Sequence, residues 1–177
     1  MSRLPLVPAD LAEPREIVEA VRARRGGELR PLDRMLLHSP ELTRGWNTYL
    51  KTVRTELTMD ARLRELAICA VAIMNRAEYE YFHHAPIFLR EGGTQAQLDA
   101  LRGSGGVAGE GAPFDAAERA VLALTREMTR DVQVADATFA AAQAALGSPR
   151  LVVELVATIA TYNMVSRFLV ALDIRPH

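Results

Sequence analysis

Two histidines stand side by side at His83-His84, directly after two acids and two tyrosines in Glu78-Tyr79-Glu80-Tyr81-Phe82. Imidazole is the side chain whose charge changes near neutral pH, so the cluster concentrates groups suited to moving protons. On an α-helix, residues three, four or seven apart share a face. Ala77, Glu80 and His84 then line one stripe, and Tyr79 and His83 a neighbouring one. Glu80 and His84, one turn apart, suit a carboxylate–imidazole pair in which the acid orients the ring. The same spacing equally describes an ion pair on the surface of an amphipathic helix.

A third acid precedes the cluster. Glu65 sits in the run Leu63 to Met74, where Leu66, Ala67, Ala70, Val71 and Met74 form an apolar stripe and Cys69 follows Glu65 by one turn. A solvent-facing glutamate beside a small buried cysteine is one reading; a member of the same site is the other. A metal is not expected. Glu80-Tyr81-Phe82-His83 is a Glu-x-x-His unit, but di-iron bundles need two such units from different helices. The remaining histidines, His38 and His177, belong to none. No Gly-x-Ser-x-Gly elbow and no glycine loop after a strand supports serine or nucleotide chemistry.

The elements that must position these groups read as helices throughout. Ala, Leu, Arg, Glu and Met dominate, and no alternating run of strand length stands out. Pro14 marks the start of a helix ending at Gly26-Gly27. Pro31 opens a short one through His38, and Ser39-Pro40-Glu41 caps another running to about Arg54. Helices follow over roughly 60–75 and 77–91, the second stopped by Gly92-Gly93. Thr94 to Gln97 and Asp115 to Glu118 are capping boxes, separated by the glycine-rich stretch Gly103–Pro113. A short helix over 136–146 and a long C-terminal helix after Ser148-Pro149 complete the chain.

Composition narrows the partners. With 177 residues, the chain is expected to be a single domain with a sizeable core. A net charge of −1 gives no footprint for nucleic acid. The arginines at 22, 24, 25 and 30 read as a solvated helix end. Cys69 is the only cysteine, so no disulfide framework is available, and a reducing cytoplasm fits. The N-terminus lacks the long apolar run of a signal peptide. The apolar segment Leu151–Ile174 is interrupted by Glu154, Asn163, Arg167 and Asp173, which predicts a buried helix and no membrane span.

The order of these residues resembles the carboxymuconolactone decarboxylase family, which includes the alkylhydroperoxidase D-like proteins. Glu65 matches the family's glutamate, twelve residues ahead of Ala77. Ala77-Glu78-Tyr79-Glu80 occupies the Cys-x-x-Cys window, and His84 matches the histidine four residues beyond. The late stretch Val153-Glu154-Leu155 through Thr161-Tyr162-Asn163-Met164 to Phe168 also looks like the family's last helix. The resemblance covers roughly 34–174 and implies an all-α fold of about eight or nine helices around a helical hairpin, usually a trimer or hexamer. It divides the chain into an N-terminal extension with one helix (1–30) and a family-like helical domain (31–177).

The chain departs from the family at the thiols. Family peroxidases reduce peroxides through two cysteines, and Ala77 and Glu80 stand at those positions here. A thiolate is the nucleophile, so without the pair that chemistry is lost. The expectation is a cofactor-free acid–base lyase or isomerase acting on a small carboxylated lactone or related organic acid. Glu65, Glu80 and His84 would be catalytic, and Tyr79, His83 and Arg167 would bind substrate. The alternative is a non-catalytic, ligand-binding oligomer of the same fold. A homo-oligomer is expected in either case, because Leu151–Leu172 is apolar nearly all round.

Overall fold

The computed structural model describes residues 2–176, so His177 lies outside them. Among the described residues the chain forms nine α-helices and no strand, in agreement with the all-α expectation. They are α1 (Arg15–Arg25), α2 (Pro31–Leu36), α3 (Pro40–Thr55), α4 (Ala61–Met74), α5 (Glu78–Arg90), α6 (Gln95–Gly103), α7 (Ala116–Arg130), α8 (Asp136–Leu146) and α9 (Pro149–Ala171). The chain groups into two compact units, one running up to Leu57 together with Leu172 onward, the other Thr58–Ala171.

In the first unit, Ile17, Val18, Val21, Leu29 and Leu37 make the core. Its arginines are structural ties, which corrects their reading as a solvated helix end. Arg22 donates to the carbonyls of Ala9, Leu11 and Gly27. Arg24 and Arg25 converge on the buried Asp33, whose Oδ2 also accepts the Arg30 N–H. Burial, reinforced by the neighbouring Arg25 charge, holds the Arg24 guanidinium down to about 10 against the attraction of Asp33. Two local expectations also change. The short helix ends at Leu36 rather than His38, and Ser39 forms no side-chain cap on α3, which instead begins with Pro40 in its first turn.

The second unit is organised around α4, which packs against α5, α6, α7 and α9. Every residue from Glu65 to Ala72 is buried, so α4 is enclosed all round rather than along one stripe. Leu66, Cys69 and Ala70 join Ala85 and Phe88 of α5, Leu98 and Leu101 of α6, Phe114 and Leu122 in one apolar cluster.

Polar contacts set where α4 begins. Asp60 accepts from the Leu63 N–H at 3.0 Å, and Glu154 of α9 accepts from the Thr58 and Met59 N–H groups at 2.8 Å each. Arg62 reaches the buried Glu118 of α7 at 2.8 Å. Both predicted capping boxes form, at Thr94/Gln97 and Asp115/Glu118. At its other end α4 closes with a left-handed residue, Arg76 at φ 58. The Ala77 N–H bonds the Ala72 carbonyl and the Arg76 N–H the Ile73 carbonyl, a Schellman closure that turns the chain back into α5.

Helix α9 is long and apolar enough to cross a membrane, but 56% of its most apolar window is buried inside the protein. Val152, Leu155, Ile159, Tyr162, Val165 and Leu169 supply that buried face.

The glycine-rich stretch between α6 and α7 is held closely. Arg119 donates to the carbonyls of Gly109, Ala112 and Phe114, and Arg130 to that of Gly105. Gly106 has φ +90, and a Cβ there would lie 2.8 Å from the Ala70 carbonyl oxygen of α4. Gly106→Ala therefore combines left-handed strain with a clash against backbone that cannot swing aside. The expected loss is about 1–3 kcal/mol of unfolding free energy, read from the urea midpoint with unchanged slope.

Candidate active site

The hairpin turn brings α5 back along α4, so that His84 faces Glu65 across the helix pair. His84 Nδ1 and Glu65 Oε2 lie 2.6 Å apart, and both side chains are buried. The second oxygen of Glu65, Oε1, accepts from Arg64 Nε at 3.2 Å. Glu65 is thus buried against His84 and is not a solvent-facing glutamate. The short charge-assisted contact holds the His84 ring against Glu65, a carboxylate on the neighbouring helix in addition to Glu80 on its own.

Glu80 shares the buried stripe. Its carboxylate and that of Glu65 both act on Cys69, whose thiol is pushed well above its ordinary range by burial first and by these two acids second. Glu80 and His84 are 2% and 5% exposed, so a surface ion pair does not describe them. Cys69 is fully enclosed, a packing residue rather than a reactive thiolate.

Tyr79 is buried, and its ring meets that of His83 edge-on at 4.5 Å. His83 itself is half-buried and also meets the exposed Phe82 at 5.2 Å. Arg167 is tied back to Asn163, one turn earlier on α9, through the carbonyl at 3.1 Å and Oδ1 at 2.7 Å.

Two further groups reach the dyad. Arg64 does so through Glu65, and Tyr162 of α9 sets its ring edge-on to His84 at 4.9 Å and 86°. Tyr162 is fully buried and 78 positions from His84, so no local spacing announces it. Its register is held by a polar network at the end of α4. The Asn75 amide donates to Asn163 Oδ1 at 2.9 Å and to Ser166 Oγ at 2.7 Å. Asn163 Nδ2 donates in turn to Thr129 Oγ1 of α7 at 2.9 Å. Among the described residues, no group of three or more His, Cys, Asp or Glu is arranged to hold a metal ion.

The helical architecture is what the resemblance implied, and comparison with known proteins supports it. The carboxymuconolactone decarboxylase family model matches residues 40–127. The chain belongs to that family, with an alkylhydroperoxidase D-like fold. Nothing matches it among curated proteins.

Similar solved structures include an uncharacterized peroxidase-related protein with an alkylhydroperoxidase core from Ralstonia eutropha JMP134. It has a TM-score of 0.81 and 20% identity, over 99% of this chain and 92% of that one. An uncharacterized peroxidase-related protein from Silicibacter sp. TM1040 gives a TM-score of 0.79 and 18% identity, over 99% and 90%. The debrominase Bmp8, solved with 2,3,4-tribromopyrrole, gives 0.74 and 17%, over 98% and 92%. At these identities the likeness is one of fold alone.

Burial pushes the Glu65 carboxyl up, but the hydrogen bond and charge of His84, joined by Arg64, outweigh it and hold the group below its ordinary value near 4.5. A carboxyl depressed in the folded state contributes stability above its unfolded value, and that stability is lost as pH falls through the folded one. The melting temperature should therefore drop more steeply below about pH 4.5 in the wild type than in Glu65→Gln, which carries no titrating carboxyl there. Parallel acid limbs in calorimetry would contradict a paired, ionised Glu65.

Proposed function

We propose that the protein is a cofactor-free acid–base enzyme, carboxymuconolactone decarboxylase-like, performing a lyase or isomerase step on a small carboxylated lactone or related organic acid. The observation that carries this reading is the buried Glu65–His84 contact at 2.6 Å. A carboxylate held ionised can only accept, so the imidazole donates from Nδ1. In the neutral ring the lone pair then sits on Nε2, the arrangement of an oriented general base.

In the lyase form, a carboxylate β to a carbonyl or its vinylogue leaves as carbon dioxide. The electron pair of the broken C–C bond passes to the carbonyl oxygen as an enolate. Protonated His84 then returns a proton from Nε2 to carbon. In the isomerase form the neutral ring removes a proton beside the carbonyl and redelivers it at another carbon. Neither sequence changes the oxidation level of the enzyme or needs a thiol. Glu80, the second buried acid of the stripe, completes the catalytic set, and Tyr79 and His83 form the adjoining wall.

Thiol-pair peroxide reduction is not part of this reading, because Ala77 and Glu80 fill the cysteine positions. We assign the protein to the cytoplasm and to a homo-oligomer, a trimer or hexamer. Val153, Ala160 and Met164 form an exposed stripe on α9, and Phe82 and Leu89 are exposed on α5, apolar surface suited to contact between copies.

A screen of small lactones and β-keto acids supplies the assay. His84→Ala and Glu65→Gln should each lower the rate by about 10² to 10⁴, the usual consequence of removing or misorienting an acid–base group. His83→Ala should cost far less, since its ring points to the Tyr79 side of the helix. Turnover undiminished in His84→Ala would overturn the proposal, and loss confined to His83→Ala would move the site to the neighbouring stripe.

A further inference from the structure

Arg64 lies beside the dyad and gives only one of its donors to a protein acceptor among the described residues. A guanidinium offers five N–H groups in a planar fork. Among the described residues Arg64 makes one hydrogen bond, from Nε to Glu65, leaving the four N–H groups of Nη1 and Nη2. Its side chain is only 13% exposed. The two terminal nitrogens are not sealed from solvent without a partner. Arg62 and Arg119 in the same unit differ. They turn two and three nitrogens, respectively, onto protein acceptors.

Glu65 links this fork to the reactive ring, with Oε1 on Arg64 and Oε2 on His84. A ligand held by Nη1 and Nη2 would therefore sit on the guanidinium that shares the Glu65 carboxylate with the imidazole. We propose that Arg64 is the anion-recognition residue of this site, clamping the carboxylate of a small organic acid through two parallel hydrogen bonds. Its catalytic use rests on the acid–base reading above, but the binding does not. The planar fork matches a carboxylate in shape and spacing. Charge selects the same ligand over a phosphate. Glu65 already offsets the guanidinium and Glu80 lies close enough for both acids to act on Cys69, so a dianion would meet more repulsion than a monoanion. Arg167, the cation suggested by sequence, lies on α9 and directs its Nη1 to Asn163.

The test is titration of the full-length protein with benzoate, benzamide and phenyl phosphate at constant ionic strength, followed by ¹H–¹⁵N NMR. Benzoate should bind saturably, shifting resonances at the start of α4 and in the His84 ring, with benzamide and phenyl phosphate weaker. Arg64→Gln should weaken benzoate by roughly tenfold or more, as loss of a charged two-point contact implies. Arg64→Lys, which keeps the charge without the fork, should fall between, and Arg167→Gln should match the wild type. Should Arg64→Gln fail to fold, Arg64→Lys carries the comparison.

Equal benzoate binding in the wild type and the Arg64 variants would overturn the proposal. So would benzamide or phenyl phosphate binding as tightly as benzoate, or the absence of saturable benzoate binding. The acid–base reading fails separately. Benzoate bound through Arg64 with no lactone or keto acid turned over would leave the anion site standing alone. Turnover with KM unchanged in Arg64→Gln would leave the enzyme standing without the clamp.

Discussion

A carboxylate removed from water must find positive or hydrogen-bonding partners or give up its charge. Glu65 is 2% exposed in the middle of the most enclosed helix of the chain, and its two oxygens are met by His84 and Arg64. Much of the Thr58–Ala171 unit can be understood as what keeps those three groups in register. Removing one partner from a buried ion pair typically costs about 3–5 kcal/mol. That figure sets the scale on which α4 and α5 must be held together, and it exceeds what a solvated surface pair would contribute.

The support is polar at both ends of α4 and apolar between them. Glu154 and Glu118, buried acids from α9 and α7, hold the entry to α4 through the Thr58 and Met59 N–H groups and through Arg62. At the exit, Asn75 joins α4 to Asn163 and Ser166 of α9. The left-handed Arg76 fixes the angle at which α5 returns. Phe88, Leu98, Leu101 and Leu122 fill the space between, so the dyad is packed as well as bonded. Tyr162 lies in the face of α9 that this packing buries, which explains why it meets His84 at a set distance and angle.

Local rules made much of the fold legible. Capping boxes at Thr94/Gln97 and Asp115/Glu118 and glycines after Arg25 and Leu146 depend on neighbours within a few residues, and they mark helix ends closely. The hairpin carrying Glu65 and His84 was visible through the family pattern of their separation. Helical spacing singled out Glu80 beside His84, but it reports neighbours on one helix and nothing about the next. The Glu65–His84 bond crosses two helices, and its geometry depends on how Arg76 turns the chain. Tyr162 stood in the stretch that looks like the family's last helix, but nothing in it announced the contact with His84.

Chemically, the account turns on an orientation. A neutral imidazole whose Nδ1 donates to an ionised carboxylate carries its lone pair on Nε2, whereas an untethered ring samples both tautomers. Nitrogen-15 NMR of histidine-labelled protein near neutral pH reads that distinction at His84 directly, with His84→Ala assigning the resonance. A protonated Nδ1 with an unprotonated Nε2, reverting to a mixture of tautomers in Glu65→Gln, is the result this account predicts. A proton resident on Nε2 in the wild type, or a tautomer mixture indifferent to Glu65, would contradict it.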